Sequence, residues 1–292
     1  MDQAQQLRNI VKRQNQVTVQ KARVITVTSG KGGVGKSNTT VNLAVELRRQ
    51  GKSVIIFDAD FGLANVEVMF GALPKYNLSD LIYRGKNIRE IITEGPEGIG
   101  FISGGSGIVG LSNLSRDQIA FLIHNLTYLD NMADVIIIDT GAGISDSVLE
   151  FAMASPEILV ITTPEPSSLT DSYSLLKALY RNPSFDREHT QIRVLANKVN
   201  SVEDGDAVYA KLSSVVNKFL DGSLDYVGMI PADTAIDKAI RQQKPVTISY
   251  PTAKSSQAYK VLAENLLNGT HEQIEMKRGI TQLFSSFMTR RK

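Results

Sequence analysis

The sequence predicts an α/β protein: a three-layer domain with a mostly parallel, doubly wound sheet and a helical extension at each end. Apolar runs of strand length alternate along the chain with segments of helical periodicity, which is the pattern of successive βαβ units. These runs are apolar at consecutive positions, as expected of strands that are covered on both faces. They span residues 24–27, 53–57, 134–138, 158–162, 191–196 and 224–229. In addition, a glycine-rich stretch joins the first run to the first helix.

Composition excludes several classes of protein. The chain has 292 residues, which suits one large α/β domain, and its formal net charge of +2 gives no global nucleic-acid signature. It contains no cysteine, so disulfides, thiolate zinc sites and cysteine-ligated iron–sulfur clusters are excluded. The polar N-terminus does not resemble a signal peptide, and no apolar run reaches transmembrane length. We therefore expect a cytoplasmic protein.

The glycine-rich stretch carries a phosphate-binding motif. Residues Gly30 to Ser37 read GKGGVGKS and match G-x-x-x-x-G-K-[ST] at every fixed position. Glycines allow backbone N–H groups to surround an anion, and the N-terminus of the following helix adds its dipole. Lys36 would place a positive charge on the β- and γ-phosphates, and the Ser37 hydroxyl can ligate Mg²⁺. The predicted nucleotide-binding residues here are Gly30, Lys31, Gly32, Gly33, Val34, Gly35, Lys36, Ser37 and Asn38.

Acidic residues follow two of the predicted strands. Asp58 and Asp60 follow the run 53–57, and Asp139 ends the run 134–138 in a Walker B arrangement. Carboxylates at the carboxyl ends of strands beside a phosphate loop lie where Mg²⁺ and an attacking water must be. Asp58 and Asp60 alternate in direction along an extended chain, so we expect them to have different roles. Asp139 is predicted to hold the Mg²⁺ shell from the second coordination sphere.

Between and after these motifs, the pattern predicts further elements. We expect two short helices in residues 78–94, a strand at 99–103 and a flexible glycine-rich loop at 104–107. A helix over 116–129 should begin behind a Ser115 cap, and Ser167 is predicted to cap a helix over 169–181. Helices over 234–243 and 255–267 complete the core.

A second lysine makes the phosphate loop more specific. Lys31 lies five residues before Lys36, and the resulting KGGVGKS resembles the deviant Walker A motif of the MinD/ParA family. The resemblance implies a slow, Mg²⁺-dependent ATPase that forms a homodimer when ATP is bound. It implies that Lys31 reaches the partner's nucleotide, much as an arginine finger does. It also implies that Asp60 positions the hydrolytic water and that Asp58 supports the Mg²⁺ shell.

The same resemblance assigns the adenine site and a dimer face. Asn197 and the backbone from Pro231 to Asp233 would hold the base, since an Asn amide can both donate and accept. The stretch 163–166, Thr-Pro-Glu-Pro, resembles a family segment ahead of a helix near the dimer face. These assignments come from the resemblance, because strand ends carry Asn or Pro in many proteins.

Residues 1–20 form a predicted arm ahead of the domain of residues 21–270. Its start, DQAQQLR, resembles the DQAxxLR element of FlhG (YlxH), the flagellar branch of the MinD family. That resemblance implies contact with the GTPase FlhF, and it implies flagellar basal-body proteins as further partners. The arm residues concerned are Asp2, Gln3, Ala4, Leu7 and Arg8. A disordered basic tail is the alternative explanation.

Residues 271–292 contain a predicted amphipathic helix. Its apolar positions follow helical spacing and lie within an arc of roughly 140°. Basic residues flank this face, which suits an anionic membrane surface. The apolar residues are Ile280, Leu283, Phe284, Phe287 and Met288. The family resemblance implies the same membrane role, while a last helix packed on the core is the alternative.

Three other functions fit parts of the sequence. A ParA-like DNA-partitioning ATPase would present a basic dimer surface, but the near-neutral charge and the amphipathic tail disfavour it. A division-site MinD would begin near residue 23, without the long arm. A phosphate-loop kinase for a small molecule would need a basic lid and would leave Lys31 without a role.

Overall fold

The computed structural model describes residues 21–61, 65–105 and 114–273. Within them lies one eight-stranded sheet of order β3-β4-β2-β5-β1-β6-β7-β8. Neighbouring strands are parallel, except that β3 is antiparallel to β4. The strands are β1 (Arg23–Ser29), β2 (Val54–Ala59), β3 (Thr93–Glu94), β4 (Gly100–Ile102), β5 (Val135–Ala142), β6 (Glu157–Thr162), β7 (Gln191–Val199) and β8 (Asp225–Pro231). The predicted parallel, doubly wound sheet is confirmed.

Helices cover both faces of this sheet. They are α1 (Lys36–Arg49), α2 (Asn65–Phe70), α3 (Leu78–Tyr83), α4 (Arg116–Leu126), α5 (Asp146–Met153), α6 (Pro166–Arg181), α7 (Val202–Leu220), α8 (Thr234–Arg241), α9 (Val246–Ser249) and α10 (Lys254–Asn268). One face packs against α1, α2, α8, α9 and α10, and the other packs against α3 to α7. The three layers predicted from the alternation of strands and helices are therefore present.

The continuous apolar runs have the expected physical cause. In β2, Val54 and Ile56 pack into the core on one face, whereas Ile55 and Phe57 pack into the core on the other. Each strand side chain is thus removed from water whichever way it points, as parallel sheets with crossover helices require.

Several predicted boundaries needed correction. The second helix expected in residues 78–94 is a short 3₁₀ turn, Ile88–Ile91, followed by the edge strand β3. The helix expected over 116–129 ends at Leu126 and continues as a 3₁₀ turn. Its Ser115 cap is confirmed, because the Ser115 hydroxyl accepts from the N–H of Gln118.

The predicted Ser167 cap was wrong. Helix α6 begins at Pro166, so Ser167 lies inside its first turn and no side chain caps the N-terminus. Proline is favoured at this first position because its missing N–H would have no partner there. The Ser167 hydroxyl instead accepts a hydrogen bond from Lys31.

Both predicted terminal elements lie outside the described residues, namely the arm residues 2–8 and the apolar tail residues 280–288. Their assignment as separate segments stays a prediction. Among the residues that are described, no helix is both long and apolar enough to cross a membrane.

Candidate functional site

The carboxyl ends of β1, β2, β5, β7 and β8 surround a cavity of about 800 Å³. In open α/β sheets, ligands bind outside these strand ends, and cavities of this size hold small molecules and cofactors. Many of its lining residues are those predicted from sequence: Gly32, Gly33, Gly35, Lys36, Ser37, Asn38, Asp60, Asn197, Pro231 and Asp233. The others are Asn65, Met69, Ala142, Lys198, Ala232, Thr234, Ile236, Asp237, Ile240 and Tyr259.

The phosphate loop closes one end of the cavity. Gly35 lies directly before α1 with a φ of 99°, in the left-handed region that glycine adopts without strain. A Cβ added to Gly35 would lie 2.3 Å from the Asn197 amide, and one on Gly30 would lie 2.1 Å from the backbone of Asp171. The motif therefore needs glycine for both conformation and close packing. The N-terminus of α1 points its free N–H groups at the cavity, as an anion site requires.

Lys36 of the phosphate loop is buried and is influenced by two carboxylates, those of Asp139 and Asp60. Lys36 is only 7% exposed. Burial lowers the pKa of the Lys36 ammonium, and the charges of Asp139 and Asp60 raise it. The two carboxylates thus oppose burial and favour the charged form of Lys36. Polyphosphate would bind beside this ammonium group.

Asp58 is fully buried at the end of β2. Burial raises its pKa well above the usual value, and the charge of Asp139 raises it further. Its Oδ1 accepts from the Asp60 N–H at 3.1 Å, and its Oδ2 accepts from the Val66 N–H at 3.2 Å. Asp58 thus holds the backbone at Asp60 and at Val66, near the start of α2.

Asp60 itself lines the cavity. Its Oδ2 accepts from Asn65 Nδ2 at 2.9 Å. Burial raises the pKa of Asp60, whereas Lys36 and Asn65 lower it. Asp58 is bound to backbone N–H groups and Asp60 lines the cavity, while the different roles of the two acids stay a prediction.

The arrangement around Asp139 fits a hydrated divalent cation. Thr40 Oγ1 donates to Asp139 Oδ1 at 3.2 Å, whereas the buried Oδ2 has no hydrogen-bond partner within the described part of the chain. An orphaned carboxylate oxygen beside Ser37 can accept from a metal-bound water. The described residues contain no group of three or more His, Cys, Asp or Glu that could hold a metal by themselves. Mg²⁺, which keeps several waters and binds with phosphates, suits such a site.

Burial also makes Asp139 a pH-sensitive group. It raises the pKa of Asp139 to about 6, while Ser37, Lys36 and Thr40 oppose this effect. The unfolded value is near 3.8, so between these two pH values the folded state binds more protons than the unfolded state. Stability from this group is therefore lost as pH rises through that window, by about 3 kcal/mol.

We expect Asp139→Asn to raise the melting temperature of nucleotide-free protein in EDTA by roughly 5 °C at pH 7.5. The gain should shrink at pH 5, where the wild-type carboxyl is protonated. Differential scanning calorimetry at both pH values measures this. Exposed Glu188→Gln, the matched control, should change little at either pH. An equal gain at both pH values would show that the buried charge is not the cause.

Unlike Lys36, Lys31 is not among the residues that line the cavity. Its Nζ donates to Glu165 Oε2 at 2.7 Å and to Ser167 Oγ at 2.8 Å. Glu165 belongs to the Thr-Pro-Glu-Pro segment and Ser167 to the first turn of α6, the helix that the family resemblance predicts to lie near the dimer face. The ion pair is open to solvent, with 35% of the lysine side chain and 62% of the glutamate side chain exposed. Such pairs contribute only about 0.2–1 kcal/mol and are readily broken.

At the other end of the cavity, the side chains of Asn197 and Asp233 already have protein partners, whereas the predicted base contact from Pro231 to Asp233 is through the backbone. Asn197 Nδ2 donates to the Val34 carbonyl at 2.7 Å, and Asn197 Oδ1 accepts from the Lys198 N–H at 2.9 Å. The Asp233 carboxylate accepts from the N–H of Ala235 at the start of α8 and from Ser255. Each amide function of Asn197 keeps one further hydrogen-bonding position, so contact with a base stays a prediction.

Sequence reasoning missed Asn65 and Lys198. Neither belongs to a recognised motif. Asn65 comes five residues after Asp60, and Lys198 directly follows Asn197. Asn65 orients Asp60, and Lys198 Nζ donates to the Gly33 carbonyl at 2.8 Å. Their proximity to the predicted strand ends is the signal that could have found them.

A parallel sheet, a phosphate loop at the N-terminus of α1, and carboxylates at the ends of β2 and β5 together define a P-loop NTPase. The ParA family model, described as "NUBPL iron-transfer P-loop NTPase", matches residues 20–267. The chain therefore belongs to the ParA/MinD family of P-loop NTPases.

Two bacterial relatives match most of the chain. The chain is 42% identical to the antiactivator FleN of Pseudomonas aeruginosa over 244 residues, covering 84% of this chain and 86% of FleN. It is 33% identical over 247 residues to the flagellum site-determining protein YlxH of Helicobacter pylori, covering 84% and 82%.

A solved structure confirms the fold. The cell division ATPase MinD of Pyrococcus furiosus superimposes with a TM-score of 0.72 at 24% identity, covering 85% of this chain and all of that one. MinD of Pyrococcus horikoshii, solved with Mg-ADP, gives a TM-score of 0.71 at 23% identity, covering 87% and 100%. The predicted MinD-like architecture is confirmed.

Proposed function

We propose that this protein is a MinD-like ATPase switch that regulates the number and placement of flagella. The observation that carries the proposal is a phosphate-loop site in which Lys36 and Asp60 line one cavity and the buried Asp139 acts on Lys36 from behind it, in a chain 42% identical to FleN. FleN is named an antiactivator and YlxH a flagellum site-determining protein. The name of YlxH supports a flagellar role for this chain, and that of FleN supports a regulatory one.

The substrate is ATP with Mg²⁺. Ser37 and Asp60 lie on the cavity wall, and the buried Asp58 and Asp139 lie behind it, so these four residues would hold the hydrated metal. When bound, Mg²⁺ neutralises charge that develops on the phosphate oxygens. Lys36 binds the β- and γ-phosphates, and Asp60 orients the attacking water. The products are ADP and phosphate.

ATP binding drives formation of a homodimer. Lys31 then leaves Glu165 and Ser167 and contacts the nucleotide of the partner subunit. The weak, solvent-exposed ion pair in the isolated chain supports this exchange, because breaking it costs little. Hydrolysis removes the γ-phosphate and returns the protein to a monomer.

Dimerisation couples to the membrane through the tail. One amphipathic helix binds a bilayer weakly, whereas two helices in one dimer gain effective concentration worth about 10²-fold or more. We expect the tail of an ADP-bound monomer to lie on its own core, because its apolar face would otherwise be exposed.

An apolar groove of about 340 Å³ between α6 and α7 is the surface we assign to the docked tail. Phe219 in this groove is 62% exposed. The described chain ends nearby, since Gln273 Nε2 donates to Asp206 Oδ1 on α7 at 3.1 Å. The arm of residues 1–20 would contact the GTPase FlhF, and flagellar basal-body proteins would be further partners.

Liposome co-sedimentation tests this switch. Asp60→Ala protein should pellet with anionic vesicles in ATP but not in ADP, because ATP holds the dimer and hydrolysis is blocked. Deleting residues 274–292 should abolish pelleting while leaving ATP-dependent dimerisation, measured by light scattering, unchanged. In ADP, the same deletion should speed hydrogen exchange at the groove between α6 and α7.

The outcomes separate the competing functions. Protein that ignores vesicles in both nucleotides, yet binds DNA in a salt-sensitive way, would favour a DNA-partitioning ATPase. In cells that lack this protein, flagella counted by electron microscopy should change in number or position. Wild-type protein should restore the pattern, and the Asp60→Ala variant should not.

A further inference from the structure

The phosphate loop contains backbone carbonyl groups between its N–H groups. For its N–H groups to turn inward around phosphate, the intervening carbonyls must turn outward. A carbonyl keeps one fixed direction where a donor holds it, whether the residue is buried, as Val34 is, half-buried, as Lys31 is, or exposed, as Gly33 is. Side chains supply three such donors: Ser29 Oγ donates to the Lys31 carbonyl at 2.7 Å, Lys198 Nζ to the Gly33 carbonyl at 2.8 Å and Asn197 Nδ2 to the Val34 carbonyl at 2.7 Å.

Two of these donors are neighbours at the end of β7. In a regular strand, consecutive side chains point to opposite faces, so Asn197 and Lys198 could not both reach the loop. The pairing of β7 with β8 is irregular at this point: Asn197 pairs with Ile230 and Val199 with Pro231, which leaves Lys198 as an extra residue. Lys198 has a φ of 57°, in the left-handed region that lysine rarely adopts. This bulge re-aims one side chain, as bulges beside functional sites do.

The backbone at Lys198 is held in this conformation from both sides. Its N–H donates to Asn197 Oδ1 at 2.9 Å, and its ammonium is bound to Gly33. A non-glycine residue in the left-handed region is strained, so it persists only where surrounding contacts fix it. Lys198 also lines the cavity. The strained backbone of Lys198, the bulge and the side-chain contact therefore all help to connect the end of β7 to the phosphate loop.

We infer that Lys198 is a positioning residue for nucleotide binding: its ammonium holds the Gly33 carbonyl outward and so keeps the phosphate loop ready for the polyphosphate. This inference rests on the proposed ATPase function and adds to it a residue outside the Walker motifs.

The test measures affinity and loop dynamics together. Lys198→Met keeps the length of the side chain but removes the donor, and Lys198→Arg keeps a charged donor. We expect Lys198→Met to weaken Mg-ADP binding about tenfold by isothermal titration calorimetry, as for loss of one charged hydrogen bond. In nucleotide-free protein, hydrogen exchange of amides 30–37 should become faster. Lys198→Arg should restore both.

Lys218→Met is the matched control, since it removes the same charge from an exposed position on α7. It should change neither quantity. Weaker ADP binding with unchanged exchange would overturn the inference, because Lys198 would then act by direct charge on the nucleotide. Unchanged affinity would overturn it as well. If wild-type protein bound neither Mg-ATP nor Mg-ADP, the proposed function would fail, while the exchange measurement would still test the loop contact.

Discussion

Replacing Asp60 with alanine should reduce the rate of ATP hydrolysis by about 10²-fold or more, the usual range for loss of a group that orients or activates the attacking water. The carboxylate lies on the cavity wall, and Asn65 and the backbone contacts of Asp58 fix its position. A Cβ added to Gly141, after the Walker B acid, would lie 3.4 Å from Asp60 Oδ1. Asp60 therefore lies against the carboxyl end of β5 as well as beside Lys36 of the phosphate loop.

The Asp60→Ala variant should still bind Mg-ATP. Lys36 and the loop amides are unchanged, and removal of one negative charge beside the polyphosphate does not weaken its attraction. We expect the affinity for Mg-ATP to stay within about threefold of wild type. Steady-state phosphate release gives the rate, and equilibrium titration gives the affinity. Asp237→Asn removes a carboxylate from the other end of the same cavity and should preserve turnover. Near-normal hydrolysis by Asp60→Ala would contradict the role.

Replacing Lys31 with alanine should abolish dimer-dependent hydrolysis, an effect of the order of 10³-fold if this lysine acts as arginine fingers do. In the isolated chain its ammonium is bound to Glu165 and Ser167. We therefore expect Mg-ADP affinity and the melting temperature of the monomer to be nearly unchanged, since an exposed ion pair contributes little. Light scattering in ATP should show monomers for the variant and dimers for wild type.

Mixing two inactive variants distinguishes action in trans from action in cis. In a heterodimer of Lys31→Ala with Asp60→Ala, the first subunit keeps Asp60 and receives Lys31 from the second. Each heterodimer has one complete site of two, and random pairing would make half of the dimers heterodimers, so the activity that returns should reach at most about a quarter of the wild-type level. Each variant alone, at the same total concentration, is the control and should stay inactive. No recovery in the mixture would show that Lys31 serves its own site.

The sequence by itself determined the sheet, the phosphate loop and the acids at the ends of β2 and β5. These features are local. A strand covered on both faces must be apolar at successive residues, and eight consecutive residues form the loop. The carboxyl ends of parallel strands meet at one edge, so placing Asp58, Asp60 and Asp139 beside the loop needed only the order of strands and helices.

Only the tertiary structure decided which side chains hold the loop. Lys31 pairs with Glu165 across 134 residues of sequence, and Lys198 reaches Gly33 across 165. No periodicity reports such contacts, because they depend on β6 lying next to β1, on β7 lying next to β6, and on one bulge at the end of β7. The Ser167 cap was mispredicted for the same reason. A serine before a helical pattern suggests a cap, but proline had already fixed the helix start, and the hydroxyl was free to bind a lysine brought in by the fold.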